Sequence, residues 1–156
     1  MKKLIYLLLF LCFACTGQTG KVIRVIDGDT FIFQTATQTL RVRMYGIDAP
    51  ELTQDYGQQA KKFMAMYTGF SGELQTFGKD KYGRTIGKLI INGQDINLKM
   101  VTYGQAWCYE YYCHDSSYIN AQQSAKYNRL GLWANKSIPP WVFRKQHVKE
   151  HSQMYK

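Results

Sequence analysis

The sequence predicts a mainly β α+β domain: a strongly bent antiparallel sheet of short strands with three helices packed against it. Three observations carry that prediction. Five β-rich segments are separated by Gly, Asp and Asn turn signals. One stretch between the third and fourth of them places apolar residues at helical spacing. A chain of 156 residues, 46% hydrophobic and 15% aromatic, is enough for one compact domain with a single core.

The elements follow in order. KVIRVID, TFIFQT and TLRVRMYGI read as the first three strands, with GELQTFG and RTIGKLII as the last two. Between the two groups, QDYGQQAKKFMAMYT sets Tyr56, Ala60, Phe63, Met64 and Tyr67 on one helical face and leaves Lys61 and Lys62 outside. A shorter helix is predicted around INLKMVTYG, and a third from about Ser117 to Leu130, with Gly131 suited to its C-terminal cap. No repeat interrupts this order. The domain is predicted over residues 20–143, and residues 144–156 thin into a polar C-terminal tail.

The first 15 residues belong to targeting. Lys2 and Lys3 precede an apolar run from Leu4 to Ala14, which has the length of a signal h-region and is too short to span a bilayer. The run implies export to the cell envelope, the periplasm or the medium. Its end, LCFAC, has two readings: lipid attachment at Cys15, as in a bacterial lipoprotein, or ordinary cleavage after Ala14. Both cut the same bond. Cys108 and Cys113 then form a candidate disulfide in an oxidising compartment, against the alternative of two free thiols.

A formal charge of +9 points to a polyanionic partner, nucleic acid or an anionic membrane surface. Only Lys2 and Lys3 of the basic residues precede the cut, so the excess belongs to the domain.

The chemistry concentrates in three motifs. In RVRMYGIDAPE, alternation sends Leu40, Val42 and Met44 to one face and Arg43 to the other, while the rigid exit through Pro50 carries Asp48 and Glu51. In VIDGDT, Asp27 and Asp29 flank Gly28; taken alone this is a favoured hairpin turn. Neighbouring strands can bring Asp29 and Asp48 together as oxygen ligands for a hard cation such as Ca²⁺, with the Ala49 carbonyl beside them. DKYGR adds Lys81, Tyr82 and Arg84; two arginines can bind phosphate oxygens in pairs.

Together these motifs, in this order and spacing, resemble the staphylococcal nuclease (thermonuclease-like) family over nearly all of residues 20–143. The resemblance implies a five-stranded OB-fold barrel with three packed helices and Ca²⁺-dependent hydrolysis of DNA and RNA to 3′-phosphate products. It assigns Asp29, Asp48 and the Ala49 carbonyl to the metal, and Arg43 and Arg84 to phosphate. Glu51 takes the attacking water, and Lys81, Tyr82, Tyr109 and Tyr112 contact nucleotide. Ala49 stands where the best-known member has threonine, which a backbone ligand tolerates. LTQDYG lacks that member's lysine-rich insertion, which changes the substrate entrance.

The same residues imply sequence-tolerant binding with single strands preferred, by a monomer whose only membrane contact is an anchor at Cys15. Two other classes are weighed. An inactive OB-fold nucleic-acid-binding lipoprotein would not need Glu51, and a Ca²⁺-binding adhesive lipoprotein would not need Arg43 and Arg84. Trp107, Trp133 and Trp141 read as packing residues, and His114, His147 and His151 have no spacing for a shared metal.

Overall fold

The computed structural model describes residues 17–146; the signal with Cys15, and the end from residue 147 with His147 and His151, lie outside the described residues. Strands β1 (Gln18–Val25), β2 (Thr30–Thr35) and β3 (Thr39–Met44) form an antiparallel meander, with Phe31 opposite Val42 and Phe33 opposite Leu40. Aromatic and β-branched residues suit such pairs because they pack against their cross-strand neighbours. Strands β4 (Ile47–Asp48), β5 (Ser71–Lys79), β6 (Thr85–Ile91), β7 (Gln94–Asp95) and β8 (Trp107–Cys108) follow.

The sheet closes. Its order is β3-β2-β1-β5-β6, and β6 pairs back onto β3 in parallel through Val42–Thr85, Arg43–Ile86 and Met44–Gly87. The wholly antiparallel sheet expected from sequence is therefore a mixed, five-stranded OB-type barrel. The reason is parity: with five strands alternating in direction, the first and last of the order run the same way. Register shifts between Val22 and Arg24 in β1, and between Thr76 and Lys79 in β5, supply the bends that closure requires.

Val22, Phe31, Phe33, Val42, Leu74 and Leu89 are fully buried core residues of the barrel strands. Removing an aromatic or branched side chain of this size from water stabilises by about 1.5–3 kcal/mol. The alternation read in the third strand holds: Val42 and Met44 are buried, Leu40 packs against the core, and Arg43 is on the other face.

Four helices are present among the described residues, where three were expected. Helix α1 (Gly57–Ala65) buries Ala60 and Met64 against the core; α2 (Ile96–Thr102) is capped by the Asp95 carboxylate, which accepts from Leu98 N–H; α3 (Ser116–Tyr127) is capped in the same way by Asp115 from Ser117 N–H. Helix α3 ends at Tyr127, three residues short of the expectation, and Gly131 lies beyond its Asn128 cap rather than forming it. The fourth helix, α4, occupies 140–146 and starts at Pro140, a position where a missing N–H costs nothing. Residue 144, where the polar tail was expected to begin, lies inside it. No helix among the described residues is long and apolar enough to cross a membrane.

Asn97 ties α2 to the barrel seam. Its fully buried amide donates to the carbonyls of Tyr45 and Gly87, at 3.0 and 3.1 Å, and its oxygen accepts from Leu89 N–H. Asn97→Leu keeps the branched shape but removes three hydrogen bonds. Since a buried polar group left unpaired costs about 1–3 kcal/mol, the variant should lose about 3 kcal/mol in denaturant-induced unfolding; unchanged stability would contradict the tie.

Candidate active site

Strand β2 begins at Thr30, which pairs with Arg43 of β3, so Asp29 arrives beside the Arg43 guanidinium. The turn before it is tight: Asp29 N–H donates to Asp27 Oδ1 at 3.0 Å, and Met44 N–H donates to the Asp29 carbonyl at 2.8 Å. Gly28 is required here, because a Cβ would lie 2.6 Å from the Ala49 Cβ and 2.8 Å from the Ala60 Cβ. The turn is thus wedged between the Asp48 corner and α1.

On the other side of Arg43, β4 pairs with β8, Asp48 opposite Trp107, which fixes the corner that RVRMYGIDAPE predicts. Arg43 Nη1 lies 3.1 Å from Asp29 Oδ2, and Nη2 lies 2.7 Å from Asp48 Oδ1. Further donation from Nη1 to the carbonyls of Met44 and Ile47 anchors the guanidinium. Ala49 N–H donates to Asp29 Oδ2 at 2.6 Å. Asp29, Arg43, Asp48 and Ala49 therefore form one contact cluster.

Glu51 reaches the cluster through a residue the sequence reading assigned to the tail. Arg144 of α4 donates from Nη2 to Asp48 Oδ2 and from Nη1 to Glu51 Oε1, both at 2.7 Å. Signals for it existed in Pro140 as a helix starter and the apolar Trp141, Val142 and Phe143 that follow, but nothing local marks a contact 96 residues away in sequence.

A cavity of about 520 Å³ is lined by this cluster together with Asp27, Lys81, Tyr82, Arg84, Tyr109 and Tyr112. Asp80 builds the loop that delivers Arg84: its Oδ1 accepts from the N–H groups of Tyr82 and Arg84, and its Oδ2 accepts from Arg84 Nε at 2.7 Å. The Arg84 Nη groups are left without a protein partner among the described residues. Lys81 Nζ lies 5.0 Å from the Tyr82 ring centroid, and the Arg84 guanidinium 5.7 Å from it. An adjoining cavity of about 330 Å³ shares Arg43, Arg84, Tyr109 and Tyr112, and is walled by the stacked pair Tyr45 and Phe77. A larger depression of about 750 Å³ across β1 and β5 has only Lys21 and Glu73 as charged lining, with no paired carboxylates.

The Cys108–Cys113 disulfide, Cα atoms 5.7 Å apart, closes the loop that carries the tyrosines. Tyr109 and Tyr112 line both cavities, whereas Tyr111 is turned to solvent. Trp107, Trp133 and Trp141 pack on one another, and Trp141 also sits 5.1 Å from Tyr109.

Electrostatically the site sets carboxylates against an equal number of bases. Asp29, Asp48 and Glu51 face Arg43 and Arg144, and Asp27, Lys81 and Arg84 line the same cavity. Burial raises the Asp48 pKa, an effect opposed by the Arg144 hydrogen bond and reinforced by the Asp29 charge. Burial, then the Asp29 charge, pushes Asp27 up to about 6. Asp80 is held below the usual carboxylate range: burial acts upward, but the Arg84 hydrogen bonds outweigh it. Hard divalent cations take all-oxygen ligand sets. Two buried carboxylates that repel each other, with the Ala49 backbone beside them, fit such a cation. No group of three His, Cys, Asp or Glu poised to hold a metal occurs among the described residues, so water or substrate would complete the shell.

The sequence profile of the staphylococcal nuclease homologue family matches residues 41–135. Asp29 and Arg144 lie outside that span. The chain is 39% identical over 138 residues to a Haemophilus influenzae protein named an uncharacterized endonuclease, covering 85% of this chain and 78% of the relative. A protein of Escherichia coli O157:H7 with the same name is 36% identical over 150 residues, 92% of this chain and 98% of its own length. A micrococcal nuclease of Shigella flexneri is 39% identical over 140 residues, 81% and 80% of the two chains.

The Asp27 shift has a thermodynamic signature. A carboxyl whose folded pKa is raised stabilises the fold in its neutral form, fully below the unfolded value near 3.8, and loses that contribution as pH rises through about 6. In chelator, Asp27→Asn should therefore gain about 3 kcal/mol over the parent at pH 7, from about 1.4 kcal/mol per pKa unit, and about 0.5 kcal/mol at pH 4. Denaturant unfolding at the two pH values checks this; an equal effect at both would contradict it.

Proposed function

The chain belongs to the staphylococcal nuclease family, and on that premise we propose that it is an endonuclease that hydrolyses phosphodiester bonds of DNA and RNA with little sequence selectivity, dependent on Ca²⁺. The observation that carries the proposal is the convergence of Asp29, Asp48, Arg43 and Glu51 on one cavity that Arg84 and the tyrosines also line. A Ca²⁺-binding or nucleic-acid-binding module alone gives no use for a carboxylate set beside two arginines.

Asp29, Asp48 and the Ala49 carbonyl would hold the ion, which would supply Lewis-acid polarisation of a phosphoryl oxygen. Arg43 and Arg84 take the phosphate: each planar guanidinium matches two oxygens at once, and the pair stabilises charge that develops as phosphorus is attacked. The Asp80 contact leaves Arg84 its Nη fork for this purpose. Glu51 accepts a proton from, or orients, the water that attacks in line with the leaving 5′ oxygen, giving 3′-phosphate products. Lys81 neutralises backbone charge, and Tyr82, Tyr109 and Tyr112 offer faces to bases, an arrangement that favours single or frayed strands.

The signal-like first 15 residues support export, with Cys15 either lipidated or simply the first residue after cleavage. The protein acts as a monomer outside the cytoplasm.

Residues 16–156 should cut single-stranded DNA and RNA with Ca²⁺ and not with a chelator. Glu51→Gln should slow turnover on the order of 100-fold or more with the melting temperature preserved. Binding without cleavage under every divalent metal would replace the nuclease with an OB-fold binding module, and near-parental turnover of Glu51→Gln would remove Glu51 from the chemistry.

A further inference from the structure

We propose that Arg144 is the positioning residue of Glu51, so that helix α4 is a working part of the active site; this rests on the nuclease reading above. The Glu51 side chain is 40% exposed and long, and Arg144 Nη1 is the partner its carboxylate has among the described residues. Left alone, such a side chain samples several rotamers and loses that freedom each time it must adopt one. The guanidinium removes that freedom by spanning Glu51 Oε1 and both oxygens of Asp48, at 2.7 Å to Oδ2 and 3.3 Å to Oδ1. Asp48, 1% exposed and also held by Arg43, is the fixed reference. Arg144 transfers that fixity to Glu51.

The helix that brings Arg144 is seated independently of the ion pairs. Trp141 packs on Tyr109 and Trp107. Gln54, nearly buried, accepts from Glu51 N–H at 3.2 Å and donates to the Ile138 carbonyl at 2.5 Å, so one side chain joins the Glu51 backbone to the segment leading into α4. Two links, one through backbone and one through side chains, thus run between the Glu51 corner and the C-terminal segment. Half-exposed ion pairs contribute little to stability, so the contribution of this one lies in geometry. A fork on two different carboxylates also suits arginine, which grips two oxygens at once, better than lysine.

The test compares kcat and KM for the parent, Arg144→Met, Arg144→Lys, Glu51→Gln and the Arg144→Met/Glu51→Gln pair, with melting temperatures alongside. Methionine keeps the packing of the stem. Misplacing a reacting group by about 1 Å costs on the order of 100-fold, so Arg144→Met should lower kcat by about 10- to 100-fold with KM within about 3-fold, and Arg144→Lys should recover part of the loss. Because Arg144 acts through Glu51, the double variant should be no slower than Glu51→Gln. Additive losses in the double variant, a rise in KM with kcat intact, or a faster Arg144→Met enzyme would each overturn the proposal. They would make Arg144 a separate contributor, a phosphate contact or a plug, respectively. A parent enzyme inert with Ca²⁺ overturns the nuclease reading and this inference with it. An active parent with a silent Arg144→Met overturns the inference alone.

Discussion

A carboxylate with 1% exposure cannot stay charged in a protein without partners, and the organisation of this molecule around its cleft follows from meeting that requirement for Asp48. Its two oxygens draw Arg43 from β3 and Arg144 from α4, elements at opposite ends of the chain. Arg43 in turn receives Asp29 from the turn before β2. Breaking a buried pair of this kind is costly, because it strands a charge away from water. The cluster is accordingly a structural knot in which two arginines hold two buried carboxylates side by side.

Barrel closure places that knot. β3 is paired on both sides, with β2 and, in parallel, with β6, so the backbone around Arg43 has little freedom. The β4–β8 bridge fixes Asp48 against Trp107 and carries the chain straight into the disulfide-closed loop of Tyr109 and Tyr112. Gly57 keeps the start of α1 against the Glu51 carbonyl, where any Cβ would collide. The residues that line the cleft thus come from separate stretches of chain, held by the closed barrel and by the two-stranded β4–β8 sheet beside it. Rigid support of this kind is what charge stabilisation in a transition state needs.

What could be read from the sequence divides along a physical line. Alternation in TLRVRM separates core from cleft residues, so the placement of Val42, Met44 and Arg43 was legible. Asp29 and Asp48 were expected to meet across neighbouring strands, but Asp48 lies on β4, which pairs with β8, and the two carboxylates meet through Arg43. Alternation does not say which strands meet, so the parallel β3–β6 seam was not legible. Asp27 read as a turn residue because its raised pKa comes from burial and from Asp29, neither of which is a local property. Arg144 was missed for a similar reason. Polar neighbours hide a helix whose stability comes from Trp141 on Tyr109 and Trp107, contacts that span more than 30 residues.

Whether Asp29 and Asp48, two repelling carboxylates bridged by Arg43, together seat a divalent cation is decided by calorimetric titration of Ca²⁺ into residues 16–156. One ion per chain, lost in Asp48→Asn with the fold retained, is the result this account predicts. No binding by the parent chain, or equal binding by Asp48→Asn, would contradict it.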